Sequence, residues 1–462
     1  MRQTLPALHT HPTRPTIRPS LHPPRPRGGK LARGRRPRAF RRCGRTGREP
    51  QVLEADVAIV GAGAAGLSLA HRLSRPAPGG PRLSVLLLDA PPGPSRPPVR
   101  TWCFWEAGPG PYDAALSAAW RRLRVRTPEG RLLDTDIAPL TYKMIRSDDF
   151  EALVTGELAR SDEVRRVEAA VETVDGVARG AEILARTGGG APVAVRARWV
   201  FDSRPLGSLP AARTTLLQHF HGWYVRAERP VFDRGTVEFM DFRVPQPPGG
   251  LAFGYVLPTD SRRALVEYTE FSRAVLSPGA YDTALRRYTE EVLRLGDFAV
   301  VSTETGVIPM TDARFPRRSG PSVFRIGAAG GATRPSTGYT FSAIQRQTRA
   351  VAAALRAGRH PLPPPAHSAR SRAMDAVLLR ALDSGRVDGA AFFARLFARV
   401  PAERLLRFLD GETRLHEDLA LGIRTPVLPM LRSAAELSWL PRRAAPPVGP
   451  ADTFPGRGPG RP

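Results

Sequence analysis

The chain has 462 residues, 42% of them apolar, enough to bury more than one core and too apolar for a simple disordered polymer. Its formal charge of +26 resembles a nucleic-acid signature, yet residues 1–50 hold fourteen Lys and Arg against one acid, Glu49. Only Lys30 and Lys143 are lysines, so the basicity is largely arginine, in a chain that also carries 48 Pro and 43 Gly. Two cysteines, Cys43 and Cys103, can neither frame a disulfide scaffold nor complete a zinc site. No run reaches the ~18–20 apolar residues of a membrane span, and no apolar stretch follows the basic N-terminal residues as in a signal peptide. These observations point to a reducing, cytoplasmic setting in which any membrane contact is peripheral.

Residues 1–52, rich in Pro and Arg, cannot bury enough apolar surface to offset the entropy of ordering and are expected to form a disordered basic tail, as are residues 441–462. Between them the pattern is α/β. A strand at Asp56–Val60 runs into a glycine turn and a helix over Leu67–Leu73. A second strand over Leu83–Leu88 ends at Asp89, and a third, Val193–Phe201, ends at Asp202. From His219 to Phe271, aromatic and β-branched residues alternate, as in Trp223-Tyr224-Val225 and Thr236-Val237-Glu238-Phe239, which predicts an inserted antiparallel sheet. Helical spacing returns at 341–356, 374–382, 390–400 and 404–409. The expected architecture is a Rossmann-type FAD-binding domain (53–205 and 301–360) with an inserted antiparallel β-sheet substrate domain (206–300) and a C-terminal helical lobe (361–440).

The turn Gly61-Ala62-Gly63-Ala64-Ala65-Gly66 sits between strand and helix, with Asp89 ending the next strand. Gly61 permits the tight turn, Gly63 lets the backbone approach a pyrophosphate, and Gly66 and the small Ala65 allow close helix packing. The helix N-terminus supplies N–H donors, and Asp89 would accept from a ribose. A second glycine-rich segment, Gly327 to Gly331 and then Pro335 to Gly338, precedes the helix at 341. Gly327, Gly330 and Gly338 are candidates for a second contact to an extended dinucleotide, which favours FAD over NAD.

These motifs, with Arg100-Thr101-Trp102-Cys103-Phe104-Trp105, Tyr142-Lys143-Met144-Ile145-Arg146, Phe239-Met240-Asp241, Leu265-Val266-Glu267-Tyr268-Thr269 and Phe408-Leu409-Asp410-Gly411, resemble the FAD-dependent lycopene cyclases of bacterial carotenoid synthesis, relatives of the plant β-cyclases. The resemblance implies acid-catalysed closure of the ψ end groups of lycopene to β-ionone rings. There is no net redox change, FAD acts in its reduced form, and NADPH or NADH is the reductant. It makes Glu267 the proton donor and Asp241 a stabilising or orienting carboxylate. Strand alternation places Glu267 and Glu270 on opposite faces. Trp102, Phe104 and Trp105 are either core or the walls of a polyene tunnel, and His219 with His221 lacks a third ligand for a metal. The implied partners are lycopene in the membrane and an anionic lipid surface, with no nucleic acid and no metal. Phe392, Phe393, Leu396, Phe397, Leu405, Leu406 and Phe408, beside Arg395 and Arg399, form the candidate docking face or else pack the lobe. The competing readings are an aromatic-hydroxylase type of FAD monooxygenase, which would consume NADPH and insert oxygen, and a basic binding protein that uses the N-terminal arm.

Overall fold

The computed structural model describes residues 51–75, 82–93 and 96–444. The expected tails lie outside them, except that Gln51 and Val52 open the first strand and Arg443 bridges to Ala212.

One seven-stranded sheet carries the parallel core. Its order is Val164–Glu168, Val85–Asp89, Gln51–Val60, Pro192–Asp202, Gly180–Arg186 and Ala170–Val177, with Val323–Arg325 also paired to Pro192–Asp202. Val57 to Val60 and Val85 to Leu88 are buried on both faces, which is why they read as unbroken apolar runs rather than alternating ones. The crossover helix Ala64–Leu73 packs against the helix Phe341–Arg356, and together they close one face of the sheet.

A second seven-stranded sheet is ordered Phe298–Thr311, Thr215–Ala227, Arg263–Ser272, Leu251–Pro258, Thr236–Asp241, Arg122–Arg126 and Leu132–Asp136. It therefore draws on residues 122–136 and 298–311 as well as the expected 206–300. The sequence divides at linear boundaries, whereas the sheet recruits strands from both sides of the insertion by pairing Arg122–Arg126 in parallel with Thr236–Asp241. Its two faces are covered differently. Leu265 and Phe271 point into the large core shared with Trp105, Tyr142 and the C-terminal helices, while Val266 and Tyr268 point to Tyr281, Leu285 and Tyr288 of the 278–292 helical segment. A three-stranded sheet, Thr101–Ala107, Leu140–Arg146 and Leu116–Trp120, lies between the two larger cores.

The C-terminal lobe has helices Ala369–Asp383, Gly389–Arg399, Ala402–Asp410, Leu415–Gly422 and Val427–Leu437. Of the two readings of the Phe392 to Phe408 residues, the structure favours packing: Phe392, Phe393, Leu396, Leu405 and Leu406 are buried in the main core, and Phe397 and Phe408 pack against it half-buried. Their spacing identifies an apolar face but not the surface it meets.

Candidate active site

The first glycine turn has the geometry its sequence predicts. Gly61 has φ +93, a conformation costly to other residues, and its N–H bonds the Leu88 carbonyl at 2.8 Å. A Cβ on Gly66 would lie 1.8 Å from the Gly61 carbonyl oxygen, so only glycine lets the helix start this close to the turn. Gly63 is the N-cap of Ala64–Leu73 with open space around it and no side-chain cap, and the first helical turn has no acidic residue. Its orphan N–H groups and positive dipole end suit a pyrophosphate.

The second segment meets the first: a Cβ on Gly327, at φ +64, would be 2.8 Å from the Ala65 methyl. Gly330 abuts the Arg325 carbonyl, and Gly338, at φ +73, faces Gln218, whose Oε1 is buried without a hydrogen-bond partner among the described residues. The uncapped N-terminus of Phe341–Arg356 follows. Two uncapped helix N-termini, a glycine cradle and an orphaned acceptor fit an extended dinucleotide. Asp89 ends its strand as expected, but its Oδ2 already accepts from Arg166 Nη2 at 2.5 Å, with Arg96 Nη1 3.8 Å away. A ribose would have to share this carboxylate with Arg166.

The carboxyl that the resemblance nominates as the acid lies on the second sheet. Glu267 pairs across strands with Tyr255 on one side and Gly222 on the other, and Gly222 in turn pairs with Glu304. Directly paired residues share a face, so Glu267 and Glu304 flank Gly222 on the same side, two strands or about 9–10 Å apart at Cα. A Cβ on Gly222 would meet the Leu265 Cδ1 at 2.8 Å and crowd the Glu267 side chain, so glycine keeps the gap open.

The two carboxyls differ in their partners. Glu304 accepts from the Thr101 N–H at 2.7 Å and the Thr101 hydroxyl at 2.6 Å, and the Tyr224 hydroxyl, 3.2 Å from Glu304, lies 2.6 Å from that same Thr101 hydroxyl and donates to one or the other. Glu267 receives only the Thr269 hydroxyl, 2.5 Å from Oε1, among the described residues. Burial, reinforced by the charge of Glu304 and opposed by the Thr269 bond, pushes the Glu267 carboxyl up to about 8. This shift favours the protonated carboxyl at neutral pH. Glu304 escaped the sequence reading because nothing in Ser302-Thr303-Glu304-Thr305 marks it. The available signal was its place on a strand that could pair beside Gly222.

Around Glu267 stands an aromatic wall. The Tyr142 hydroxyl hydrogen-bonds those of Tyr255 and Tyr339, and Trp105 meets the Tyr339 ring edge-on with centroids 4.5 Å apart. Tyr339 belongs to the second glycine segment, so the wall links the acid to the dinucleotide cradle. A narrow gap, too tight to hold a water molecule, lies between this wall and the Phe341 turn, lined by Cys103, Trp105, Tyr339 and Asp410. Alternation splits the Trp102 to Trp105 strip. Trp102 and Phe104 stack on Phe341, while Cys103 and Trp105 face the acid's side. Burial pushes the Cys103 thiol up to about 12, which removes it as a nucleophile.

Asp241 requires a correction, because the structure does not bring it to Glu267. A bulge between Glu238 and Asp241 turns the carboxylate onto the opposite face, opposite Gly254, whose missing Cβ makes room for the Tyr288 ring. There Arg243 grips it through Nε at 2.9 Å and Nη2 at 2.6 Å, and Tyr288 donates at 3.0 Å. This is a structural ion pair. Glu270 also faces away from Glu267, toward Tyr268 and His219. His219 bonds Tyr281 and Ser272, burial lowers it to about 4, and no metal-holding cluster occurs among the described residues.

With this geometry in hand, comparison with known proteins is decisive on one point: the family model described as lycopene cyclase protein matches residues 56–435. The chain belongs to the lycopene cyclase family. No curated protein matches it. Among solved structures, a geranylgeranyl bacteriochlorophyll reductase-like protein from Thermoplasma acidophilum is 15% identical with a TM-score of 0.57, over 84% of this chain and 100% of that one. A flavoprotein/dehydrogenase from Cytophaga hutchinsonii is 14% identical with a TM-score of 0.57, over 83% and 99%. The p-nitrophenol 4-monooxygenase from Pseudomonas putida is 15% identical with a TM-score of 0.51, over 85% and 99%. At these identities the likeness is one of fold, and this lycopene cyclase family member shares the mixed α/β architecture of all three.

Proposed function

We propose that the chain cyclises the acyclic end groups of lycopene to β-ionone rings, with Glu267 as the acid. The observation that carries this reading is a buried carboxyl held near 8, on an aromatic wall, beside a second carboxylate held by the Thr101 backbone and hydroxyl. Glu267 gives its proton to the terminal double bond. The resulting tertiary cation is attacked by the neighbouring double bond of the polyene, which closes the six-membered ring. A ring proton then leaves to the carboxylate that Glu267 has become, which restores the acid and a neutral product, so atoms and electrons balance without an oxidant.

The residues divide the work physically. Glu304, negative and two strands away, disfavours ionisation of Glu267 before reaction and favours positive charge near it afterwards. Tyr142, Tyr255, Tyr339 and Trp105 exclude water that would trap the cation and present π-faces to it. They must part to admit a polyene end, since the gap is narrow. Gly61, Gly63, Ala65, Gly66, Asp89, Gly327, Gly330 and Gly338 would hold FAD, which when bound and reduced by NADPH or NADH would supply negative charge that stabilises a cation.

The test is anaerobic incubation of the FAD-loaded protein with NADPH and lycopene, followed by mass analysis of the pigment. The expected product is cyclised, isobaric with lycopene, and formed without matching NADPH consumption. A product one oxygen heavier, formed aerobically with NADPH consumed, would overturn the proposal in favour of a monooxygenase.

A further inference from the structure

The apolar side chains that the fold leaves outside are not scattered evenly. Leu415, Leu419 and Ile423 repeat every four residues along the helix Leu415–Gly422 and its C-cap, at 58%, 65% and 77% exposure. Val427, Leu428 and Leu431 continue the strip on the helix Val427–Leu437, and Trp439, just beyond it, is 79% exposed. The reverse sides of these helices are well seated: Leu421, Ser433 and Leu437 are buried, and Glu436 is ion-paired to Arg380 and Arg386. A solvated helix pair has no physical reason to present this surface, since burying it elsewhere would be favourable.

The charges around the strip are one-sided. The segment's acids are engaged with its own framework, Glu417 with Arg407, Asp418 with Arg370 and Glu436 with the two arginines above. Arg414, Arg424 and Arg432 sit beside Leu415, Ile423 and Leu431 and carry no acidic partner among the described residues. An apolar strip edged by arginine, with a tryptophan at its end and no helix among the described residues long and apolar enough to cross a bilayer, matches a surface that lies in a lipid interface.

We propose that this helix pair is the surface by which the protein docks on an anionic bilayer, with Leu419, Ile423 and Leu431 in the acyl boundary and Arg414, Arg424 and Arg432 at the headgroups. That the bilayer is also where the substrate resides rests on the functional reading above, but the surface argument does not need it. The strip is separate from the Phe392 to Phe408 residues, which pack within or against the core.

The experiment is co-sedimentation of the full-length, FAD-loaded protein with phosphatidylcholine vesicles, with and without phosphatidylglycerol. Wild type is expected to bind the anionic vesicles, and the triple variant Leu419→Asp, Ile423→Asp, Leu431→Asp to bind at least ~100-fold more weakly while keeping its flavin absorbance. Arg414→Glu with Arg424→Glu and Arg432→Glu should lose about tenfold or more on anionic vesicles and little on neutral ones. Val300→Asp with Val301→Asp, an exposed apolar pair on another surface, should change nothing. Undiminished binding of the folded triple variant would overturn the proposal. So would a wild type that ignores vesicles and instead forms a dimer that the triple variant loses, since the strip would then join two copies. Wild type that binds vesicles through the strip yet never cyclises lycopene delivered in detergent micelles would sink the functional reading and leave the docking surface intact.

Discussion

The two faces of the antiparallel sheet bury carboxyls of opposite character. On one face Glu267 has a single hydroxyl partner and is pushed up to about 8. On the other, Asp241, fully buried, is clamped by both arms of Arg243 and by Tyr288. Burial is similar, so burial alone does not make an acid catalyst. A carboxyl denied a cation keeps its proton, whereas one given a guanidinium becomes part of the scaffold.

This contrast is breakable by mutation. The largest expected effect is on Glu267→Gln, which should lower cyclisation at least ~1,000-fold while flavin absorbance is retained, measured by product chromatography. The same change should raise stability above neutral pH. Glu267 is raised in the folded chain to about 8 against 4.5, so the unfolded chain releases its proton first and stability falls as pH rises from 4.5 toward 8. Gln removes that loss, worth about 2–4 kcal/mol at pH 8 by denaturant melts; equal stability of the two proteins there would refute a neutral buried acid.

Asp241→Asn should act in the reverse sense. It strands Arg243, partly exposed, and is expected to cost about 2–3 kcal/mol of stability while activity per folded molecule stays within a few-fold of wild type. A loss of turnover without a loss of stability would return Asp241 to the catalytic site.

A subtler test uses the pH profile. With Glu267 as acid, the rate should fall as pH rises through about 8. Glu304→Gln removes the neighbouring charge, so that fall should move to lower pH, with a several-fold drop in rate at neutral pH. An unmoved profile would show that desolvation acts alone. The smallest effect is expected for Cys103→Ala, a modest stability loss without a change in the pH profile.

Legibility varied by the range of the interaction involved. The glycine turn, its strand and its helix were readable because each depends on neighbours within a few residues, and helix 341–356 has the expected bounds. The opposite faces of Glu267 and Glu270 followed from strand periodicity. Asp241 was misplaced because a bulge changes the side of the sheet without leaving a mark in Phe239-Met240-Asp241. The short helix at 415–422 and the proline-bearing one at 427–437 fell below recognition, and with them the exposed strip, because amphipathic spacing is the same whether the apolar face meets core or solvent.

From the sequence by itself came the α/β class, the glycine turn and the resemblance to the lycopene cyclases, all encoded in local spacing or in short motifs, and the resemblance in turn nominated Glu267. Tertiary structure alone decided that Glu304 stands across Gly222 from Glu267, that Asp241 belongs to Arg243, that Arg166 shares Asp89, and which apolar helices remain uncovered. The reason is that strand register, bulges and layer packing set which distant residues meet, and a charge or an apolar side chain acquires its role from the neighbour it meets.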